Sequence, residues 1–215
     1  MSPVLGYLPC LVFTGEQPAF AFRFSAGRLS DFAIFRMKLP HQGKRVIVHG
    51  HSRLGKTALW AGAVDPRFAM IISNESGCGG ASLSRRIFGE TIDFLLFWRT
   101  YWFSSAFQRY RNHEENLPFD QNFLIALAAP RPVYVASATD DLHSDPKGEY
   151  LSAAAAAEVY RLFGAECRGL DPGRLPPSDV SIGGEIGYHI RTGSHDVTPL
   201  DWKFYMDFAD RYWQI

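Results

Sequence analysis

The chain has 215 residues, of which 47% are hydrophobic and 20% charged, values that are ordinary for a folded globular protein. Its 22 basic and 22 acidic residues give a formal net charge of zero. Nucleic acids and anionic membranes attract a clustered positive surplus, which this composition does not provide. We therefore expect a small or neutral partner, and neither a nucleic acid nor a membrane.

Cysteine usage and the first residues add little about cofactors or compartment. The three cysteines, at positions 10, 78 and 167, are odd in number and widely spaced. This spacing indicates neither a metal knuckle nor a dense disulfide framework. The start of the sequence lacks the charged and apolar regions of a secretory signal, and no stretch approaches the ~20 apolar residues of a membrane span.

The sequence divides into two regions of different pattern. Residues 1–40 are interrupted by prolines and show no sustained apolar period, so we expect this segment to supply no strands to a sheet. Residues 41–215 alternate short apolar runs with helical patterns. This alternation predicts an α/β fold with a doubly wound, mostly parallel sheet.

The individual elements follow from apolar runs and capping residues. The predicted strands are 45–48, 69–73, 132–138 and 186–191. Helices are expected over 57–64, over 153–163 between a Ser152 N-cap and a Gly164 C-cap, and over 202–213. The last helix should bury residues at helical spacing, namely Trp202, Tyr205, Phe208 and Ala209.

Four polar residues follow the predicted strands, each just past the carboxyl end of one of them: Ser52, Glu75, Asp141 and His195. Ligands of doubly wound sheets gather at that edge, because the carboxyl ends of parallel strands meet there. We therefore expect these four side chains to form one site.

Residues 50–57 fit two motifs. The segment follows a strand, opens a helix and satisfies the phosphate-loop pattern G-x-x-x-x-G-K-T. It is also close to a nucleophile elbow around Ser52, except that Gly55 comes three residues after the serine rather than two. Taken alone, the motif favours nucleotide binding.

The rest of the chain favours a serine hydrolase. A phosphate-loop enzyme needs a strand that ends in a magnesium-binding Asp, for which Asp140 is only a loose candidate. A serine hydrolase of this type needs a nucleophile, an acid and a His in that chain order. Ser52, then Glu75 or Asp141, then His195 satisfy the order.

Several stretches together carry a resemblance to a known family. They are residues 50–60, 72–80, 85–90, 117–121, 129–132, 141–146 and 187–202. From about residue 40 to its end, the sequence resembles the glucuronoyl esterases of carbohydrate esterase family 15, especially the bacterial members. The resemblance implies an α/β-hydrolase fold, of which this chain would carry the C-terminal half.

The resemblance also implies an activity. These enzymes cleave esters of (4-O-methyl-)glucuronic acid, as in the linkages between xylan side chains and lignin alcohols, through an acyl-enzyme. They need no metal or organic cofactor, and the family suggests a secreted or periplasmic location. The alternatives are a non-catalytic truncated hydrolase fragment and a nucleotide-binding protein that uses residues 50–57.

Catalytic roles carry over by motif. Ser52 would be the nucleophile and His195 the general base. Either Glu75 or Asp141 would orient the imidazole, with Glu75 slightly favoured. Arg53 resembles the arginine that stabilises the oxyanion in this family.

The remaining matches and departures concern the substrate. Lys56 and Glu90 would bind hydroxyls of the glucuronoyl ring. His143 stands where many bacterial members have a Trp, and Asn122 stands where a His is usual. An imidazole offers less stacking surface to a sugar than an indole does, so the first departure could alter sugar recognition. The segment before the elbow is also much shorter than in the family.

Overall fold

The computed structural model describes residues 11–13 and 46–214. Within this part of the chain a six-stranded sheet runs in the order β1-β2-β3-β4-β6-β5. Its strands are β1 Leu11–Phe13, β2 Ile47–His51, β3 Met70–Asn74, β4 Val133–Ala138, β5 Ile182–Gly183 and β6 Ile186–Arg191. The four central strands pair in parallel, and the edge strands β1 and β5 pair antiparallel to their neighbours. The predicted α/β class with a mostly parallel sheet is confirmed.

Helices cover both faces of the sheet. The helices of the described chain are α1 Arg53–Val64, α2 Ile92–Trp98, α3 Gln121–Ala126, α4 Pro146–Leu162 and α5 Pro199–Trp213. The larger core joins α1, α3 and α4 to one face of the sheet through buried aliphatic and tyrosine side chains. A second core joins α5 to alternate residues of β3 and β4, among them Met70 and Tyr134. None of these helices is long and apolar enough to cross a membrane.

The insertion between β3 and β4 forms a third, smaller core. Helix α2 and the short 3-10 turns after it bury Cys78, Ile92, Leu95, Leu96 and Leu117. Aromatic side chains on the same segment, including Phe97 and Trp98, stay exposed. This segment stands beside the carboxyl ends of the strands and becomes a wall of the site.

Predicted and observed bounds agree best for the buried strands. Strand β6 has its predicted bounds, and β4 differs by one residue. The predicted Ser152 N-cap is wrong, because α4 already begins at Pro146. Asp145 caps it instead, with its side chain accepting a hydrogen bond from Gly148 N at 3.0 Å. Proline at the first helical position favours this earlier start.

Two further expectations need correction. Trp202 is only partly buried in α5, whereas Tyr205, Phe208 and Ala209 are buried as predicted. The expectation that residues 1–40 supply no strand is wrong at Leu11–Phe13, which pairs antiparallel with β2. A run of three apolar residues is long enough to cover part of an edge strand, although it shows no period. The other residues of that segment lie outside the described chain.

Helix α1 approaches β3 so closely that only glycine fits at one position. A Cβ on Gly62 would lie 2.2 Å from Ile71 Cγ1. We expect Gly62→Ala to destabilise the protein by about 1–3 kcal/mol, the usual cost of overpacking, despite the gain in helix propensity. The control is Val64→Ala on the same helix, where the side chain is exposed. A melting temperature that rises in Gly62→Ala would contradict this packing.

Candidate active site

One cavity at the carboxyl ends of the parallel strands contains every predicted site residue. Its volume is about 370 Å³. The predicted residues that line it are Ser52, Arg53, Lys56, Glu75, Glu90, Asp141, His143 and His195. Sequence reasoning missed five more lining residues, namely Ser76, Phe94, Arg99, Trp102 and Ser144.

Ser52 occupies a strained turn between β2 and α1. Its φ of 58° and ψ of −129° are unusual for a residue with a side chain, and such strain concentrates at functional sites. Gly50 permits the turn, because a Cβ there would lie 2.0 Å from Leu54 O. Gly55 allows the helix to approach β3, with its Cβ position 2.8 Å from Ser76 Cβ. The turn has the geometry of a nucleophile elbow.

The same geometry contradicts the phosphate-loop interpretation of residues 50–57. A phosphate loop directs free backbone N–H groups toward the ligand before its helix begins. Here α1 begins at Arg53, and the N–H groups of Gly55 and Lys56 already donate to Ser52 O. The Lys56 ammonium also has three acceptors already, namely the carbonyl oxygens of Ser76 and Cys78 and the carboxylate of Glu90. The nucleotide-binding alternative is therefore wrong for this segment.

The His195 imidazole meets two carboxylates through one nitrogen. Its Nδ1 lies 2.6 Å from Asp141 Oδ2 and 3.0 Å from Glu75 Oε2. The ring also packs on that of His51, with centroids 4.4 Å apart. An Nδ1–H bound to carboxylates leaves Nε2 as the acceptor nitrogen, which is the tautomer a general base needs.

The two carboxylates have different surroundings. Glu75 is fully buried, and it accepts hydrogen bonds from Arg191 Nη2 at 2.8 Å and from Asp196 N at 3.0 Å. Burial raises the pKa of Glu75, and the hydrogen bond and charge of His195 only partly offset this. Burial acts on the pKa of Asp141 in the same direction, but hydrogen bonds from His195 and Ser144 outweigh it and lower the pKa. Asp141 is therefore the more firmly ionised partner of His195.

Arg191 ties the His195 loop to Glu75. Its Nη2 also donates to the carbonyl oxygens of Ser194 and Asp196, at 2.8 and 3.0 Å. The buried guanidinium thus fixes the backbone on both sides of His195. Sequence reasoning assigned no role to Arg191, although a charged residue that closes an apolar strand is the signal that could have found it.

The site strongly favours the protonated form of His195. Burial alone would lower the pKa of this imidazole, but the hydrogen bonds and charges of Asp141 and Glu75 outweigh it and raise the pKa to about 10. The neutral form, which can accept a proton, therefore grows as the pH rises toward that value. By linkage, His195 stabilises the fold fully below its ordinary pKa of 6.5, and this contribution is lost as the pH rises toward about 10.

Lys56 and Glu90 form an ion pair in the cavity wall. The Lys56 Nζ lies 2.5 Å from Glu90 Oε2 and donates to the carbonyl oxygens of Ser76 and Cys78 at 2.5 and 2.7 Å. Both charged side chains are only 11% exposed. All three N–H donors of the ammonium therefore have acceptors, and the pair presents mainly the carboxylate of Glu90 to the cavity.

Another part of the cavity lining is aromatic and cationic. Phe94 meets His143 edge-on with ring centroids 4.9 Å apart, and the Arg99 guanidinium lies 5.4 Å from the centroid of Trp102. His143 Nε2 is 4.0 Å from Glu90 Oε1, so the imidazole extends the Lys56–Glu90 pair toward this part of the lining. Arg53 is exposed at the start of α1, directly after Ser52.

One trio of potential metal ligands occurs among the described residues. His51, Glu75 and His195 offer atoms within 4.8 Å of one another. Each of the three already makes a hydrogen bond or ion pair: His51 Nδ1 lies 2.5 Å from Asn74 Oδ1, Glu75 binds Arg191, and His195 Nδ1 lies 2.6 Å from Asp141 Oδ2. We therefore interpret this trio as part of the hydrogen-bond network around His195.

Comparison with known proteins agrees with the fold. The family described as "Glucuronyl esterase, fungi" matches residues 19–164. A curated carbohydrate esterase from an unknown prokaryotic organism is 54% identical over 198 residues, which cover 92% of this chain and 44% of that protein. A 4-O-methyl-glucuronoyl methylesterase of Wolfiporia cocos is 35% identical over 127 residues, covering 56% of this chain and 31% of its own length.

Solved structures give the same result. A glucuronoyl esterase from Solibacter usitatus superposes with a TM-score of 0.73 at 49% identity, over 77% of this chain and 42% of that one. One from Teredinibacter turnerae gives 0.71 at 35% identity, over 86% and 42%. Fold and site define an α/β-hydrolase.

Within that class the chain belongs to the glucuronoyl esterase family. It spans less than half the length of these relatives.

The unequal contacts of the two carboxylates predict unequal effects on His195. We expect Asp141→Asn to lower the pKa of His195 more than Glu75→Gln does, because Asp141 makes the shorter contact and Glu75 shares its charge with Arg191. Histidine NMR titration of the two variants measures this directly. A larger drop in Glu75→Gln would make Glu75 the principal partner, as the sequence slightly favoured.

Proposed function

We propose that this chain is a serine esterase that cleaves esters of (4-O-methyl-)glucuronic acid. The observation that carries the proposal is the placement of the Ser52 elbow, the carboxylate-bound His195 and the Lys56–Glu90 pair around one cavity. The first two form a nucleophile and its base, and the third offers polar partners for a sugar. The substrate class is supported by relatives that are named 4-O-methyl-glucuronoyl methylesterases.

The proposed reaction begins with attack by Ser52. Its Oγ forms a bond to the ester carbonyl carbon while its proton passes to Nε2 of His195. Asp141 and Glu75 stabilise the resulting imidazolium through Nδ1. Arg53 stabilises the oxyanion, a role worth roughly 3 kcal/mol per donor in enzymes where it has been measured.

The second half of the proposed cycle releases both products. The tetrahedral intermediate collapses, the bond to the alkoxy oxygen breaks, and His195 returns the proton to the leaving alcohol. A water molecule then attacks the acyl-enzyme, with His195 again as base. The products are the alcohol and the free uronic acid, and Ser52 is regenerated without any cofactor in the scheme.

The cavity also suits the proposed substrate in size and polarity. A volume of about 370 Å³ lies at the lower end of the range for small-molecule sites. Glu90 would accept from a ring hydroxyl, and Lys56 would donate to one in place of one of its present acceptors. His143 and Phe94 would face the sugar or the leaving alcohol with aromatic edges.

A second candidate function is carbohydrate binding without catalysis. It rests on the Glu90 carboxylate and the Phe94 and His143 rings, which offer polar and aromatic contacts to a sugar whether or not Ser52 reacts. In that case the cavity would hold a uronic acid ring without turning over its ester. Binding of methyl glucuronate with no release of methanol would support this alternative.

Loss of the Ser52 hydroxyl should abolish hydrolysis. We expect Ser52→Ala to lower the release of alcohol from methyl or benzyl glucuronate by about 10⁴-fold or more, because nucleophile and base act as a unit. Ser105→Ala, at an exposed serine on the aromatic segment, is the matched control and should retain activity. Equal rates in Ser52→Ala and the unaltered chain would exclude Ser52 as the nucleophile.

Activity should rise with pH across the neutral range. Because the raised pKa of His195 keeps the imidazole protonated near pH 7, the neutral base becomes more abundant from pH 7 toward 10. We expect kcat/KM to increase over that interval, with Ser52→Ala used to subtract spontaneous ester hydrolysis. A flat or falling profile between pH 7 and 9 would show that the protonation of His195 does not limit the reaction.

A further inference from the structure

A carboxyl group lies buried beneath the site, on helix α4. Glu149 is fully buried, and its Oε1 accepts hydrogen bonds from Ser76 N at 2.7 Å and Gly77 N at 3.0 Å. The Ser76 hydroxyl donates to the same oxygen at 3.3 Å. Its Oε2 accepts from Ser137 Oγ, on β4, at 2.6 Å. One side chain thus satisfies two consecutive backbone donors of the loop after β3.

That loop carries both halves of the site. Glu75, at its start, contacts His195 Nδ1. The carbonyl oxygens of Ser76 and Cys78 hold the Lys56 ammonium. A shift of the 75–78 backbone would therefore move the partner of the base and the sugar-facing ion pair together.

The loop cannot hold its shape by backbone preference alone. Glu75 has a φ of 47°, which is rare for a residue with a side chain, and Gly77 has a φ of 59°. Without Glu149 the N–H groups of Ser76 and Gly77 would be buried with no acceptor, at a cost that favours a rearranged loop.

We propose that Glu149 is a positioning residue for the esterase site, and that it fixes the 75–78 loop so that Glu75 meets His195 and Lys56 meets Glu90. Its consequence for turnover rests on the function proposed above. The effect of Glu149 on the shape of the loop does not depend on that function. An experiment can therefore contradict one of the two proposals and leave the other standing.

Glu149 performs this role as an acceptor rather than as a charge. Burial raises its pKa to about 8, although hydrogen bonds from Ser137, Gly77 and Ser76 lower it, and the charge of Glu75 adds to the rise. Near neutral pH the carboxyl therefore carries its proton for most of the time. A protonated carboxyl can still accept from Ser76 and Gly77 and can donate to Ser137, as a glutamine side chain could.

The test compares amide hydrogen exchange at Ser76 and Gly77 in the full chain. Glu149→Gln should keep the exchange rates within about threefold of the unaltered chain, whereas Glu149→Met should raise them by about 100-fold or more through local opening. Tyr150→Phe is the control on the same helix turn, because its hydroxyl bonds to the backbone of Gly169 and Asp171 away from the site. It should leave both amides protected.

Turnover of methyl glucuronate gives the second measurement. Glu149→Met should lower kcat at least tenfold, since misplacement by about 1 Å can cost that much, and Glu149→Gln should rescue it. Tyr150→Phe should change kcat little even where it lowers the melting temperature. If the unaltered chain does not turn over the ester, the proposed function fails while the exchange measurement still decides the role of Glu149.

Two outcomes would overturn the proposal. One is full protection of Ser76 and Gly77 in a folded Glu149→Met protein, and the other is a Glu149→Gln protein as exposed at these amides as Glu149→Met. If Glu149→Met does not fold, Glu149→Asp replaces it, because the shorter side chain withdraws the acceptor and keeps the acid. Unchanged protection in Glu149→Asp would then count against the proposal.

Discussion

The buried ion pair between Glu75 and Arg191 is the interaction on which the site depends. It joins the end of β3 to the end of β6, with β4 between them in the sheet. Burying two charges away from water costs desolvation free energy unless each group makes further hydrogen bonds. Glu75 and Arg191 both do so. Glu75 reaches His195 and Asp196 N, while Arg191 binds the carbonyl oxygens around His195. The position of the base therefore follows from the pairing of strands that are far apart in sequence.

Glu75 and Asp141 both contact Nδ1 of His195, but they have different roles in the site. Arg191 neutralises the charge of Glu75, which therefore positions the His195 loop as much as it stabilises a charge. Among the hydrogen-bond partners of Asp141 in the described chain, His195 is the only one that can carry a positive charge. Two carboxylates on one nitrogen would stabilise the imidazolium that forms in the proposed attack by Ser52. The same stabilisation raises the pKa of His195, so that the imidazole stays protonated before the reaction begins. The geometry of the site therefore determines its pH dependence.

The sequence predicted the elements that obey simple periodicity and the residues that follow strands. An apolar run predicted strand β6. The rule that the carboxyl ends of parallel strands meet at one edge predicted the convergence of Ser52, Glu75, Asp141 and His195. The predicted start of α4 was wrong because the helix was placed on the alanine run from residue 153. The capping signal of Asp145 and Pro146 was not used. Phe94, Arg99 and Trp102 could not be placed, since they lie on an insertion of short turns whose path depends on tertiary packing. Glu149 lies outside the helix predicted over 153–163, and only the fold shows that its side chain faces the loop after β3.

The proposed reaction requires that His195 activate Ser52 for attack on an acyl carbon. A fluorophosphonate reacts covalently with such a serine, so intact mass followed by peptide mapping tests the claim without assuming any substrate. We predict a single adduct on Ser52 in the 215-residue chain, formed more slowly by about two orders of magnitude or more when His195 is replaced by Ala. No adduct, an adduct on another residue, or equal labelling rates with and without His195 would contradict it.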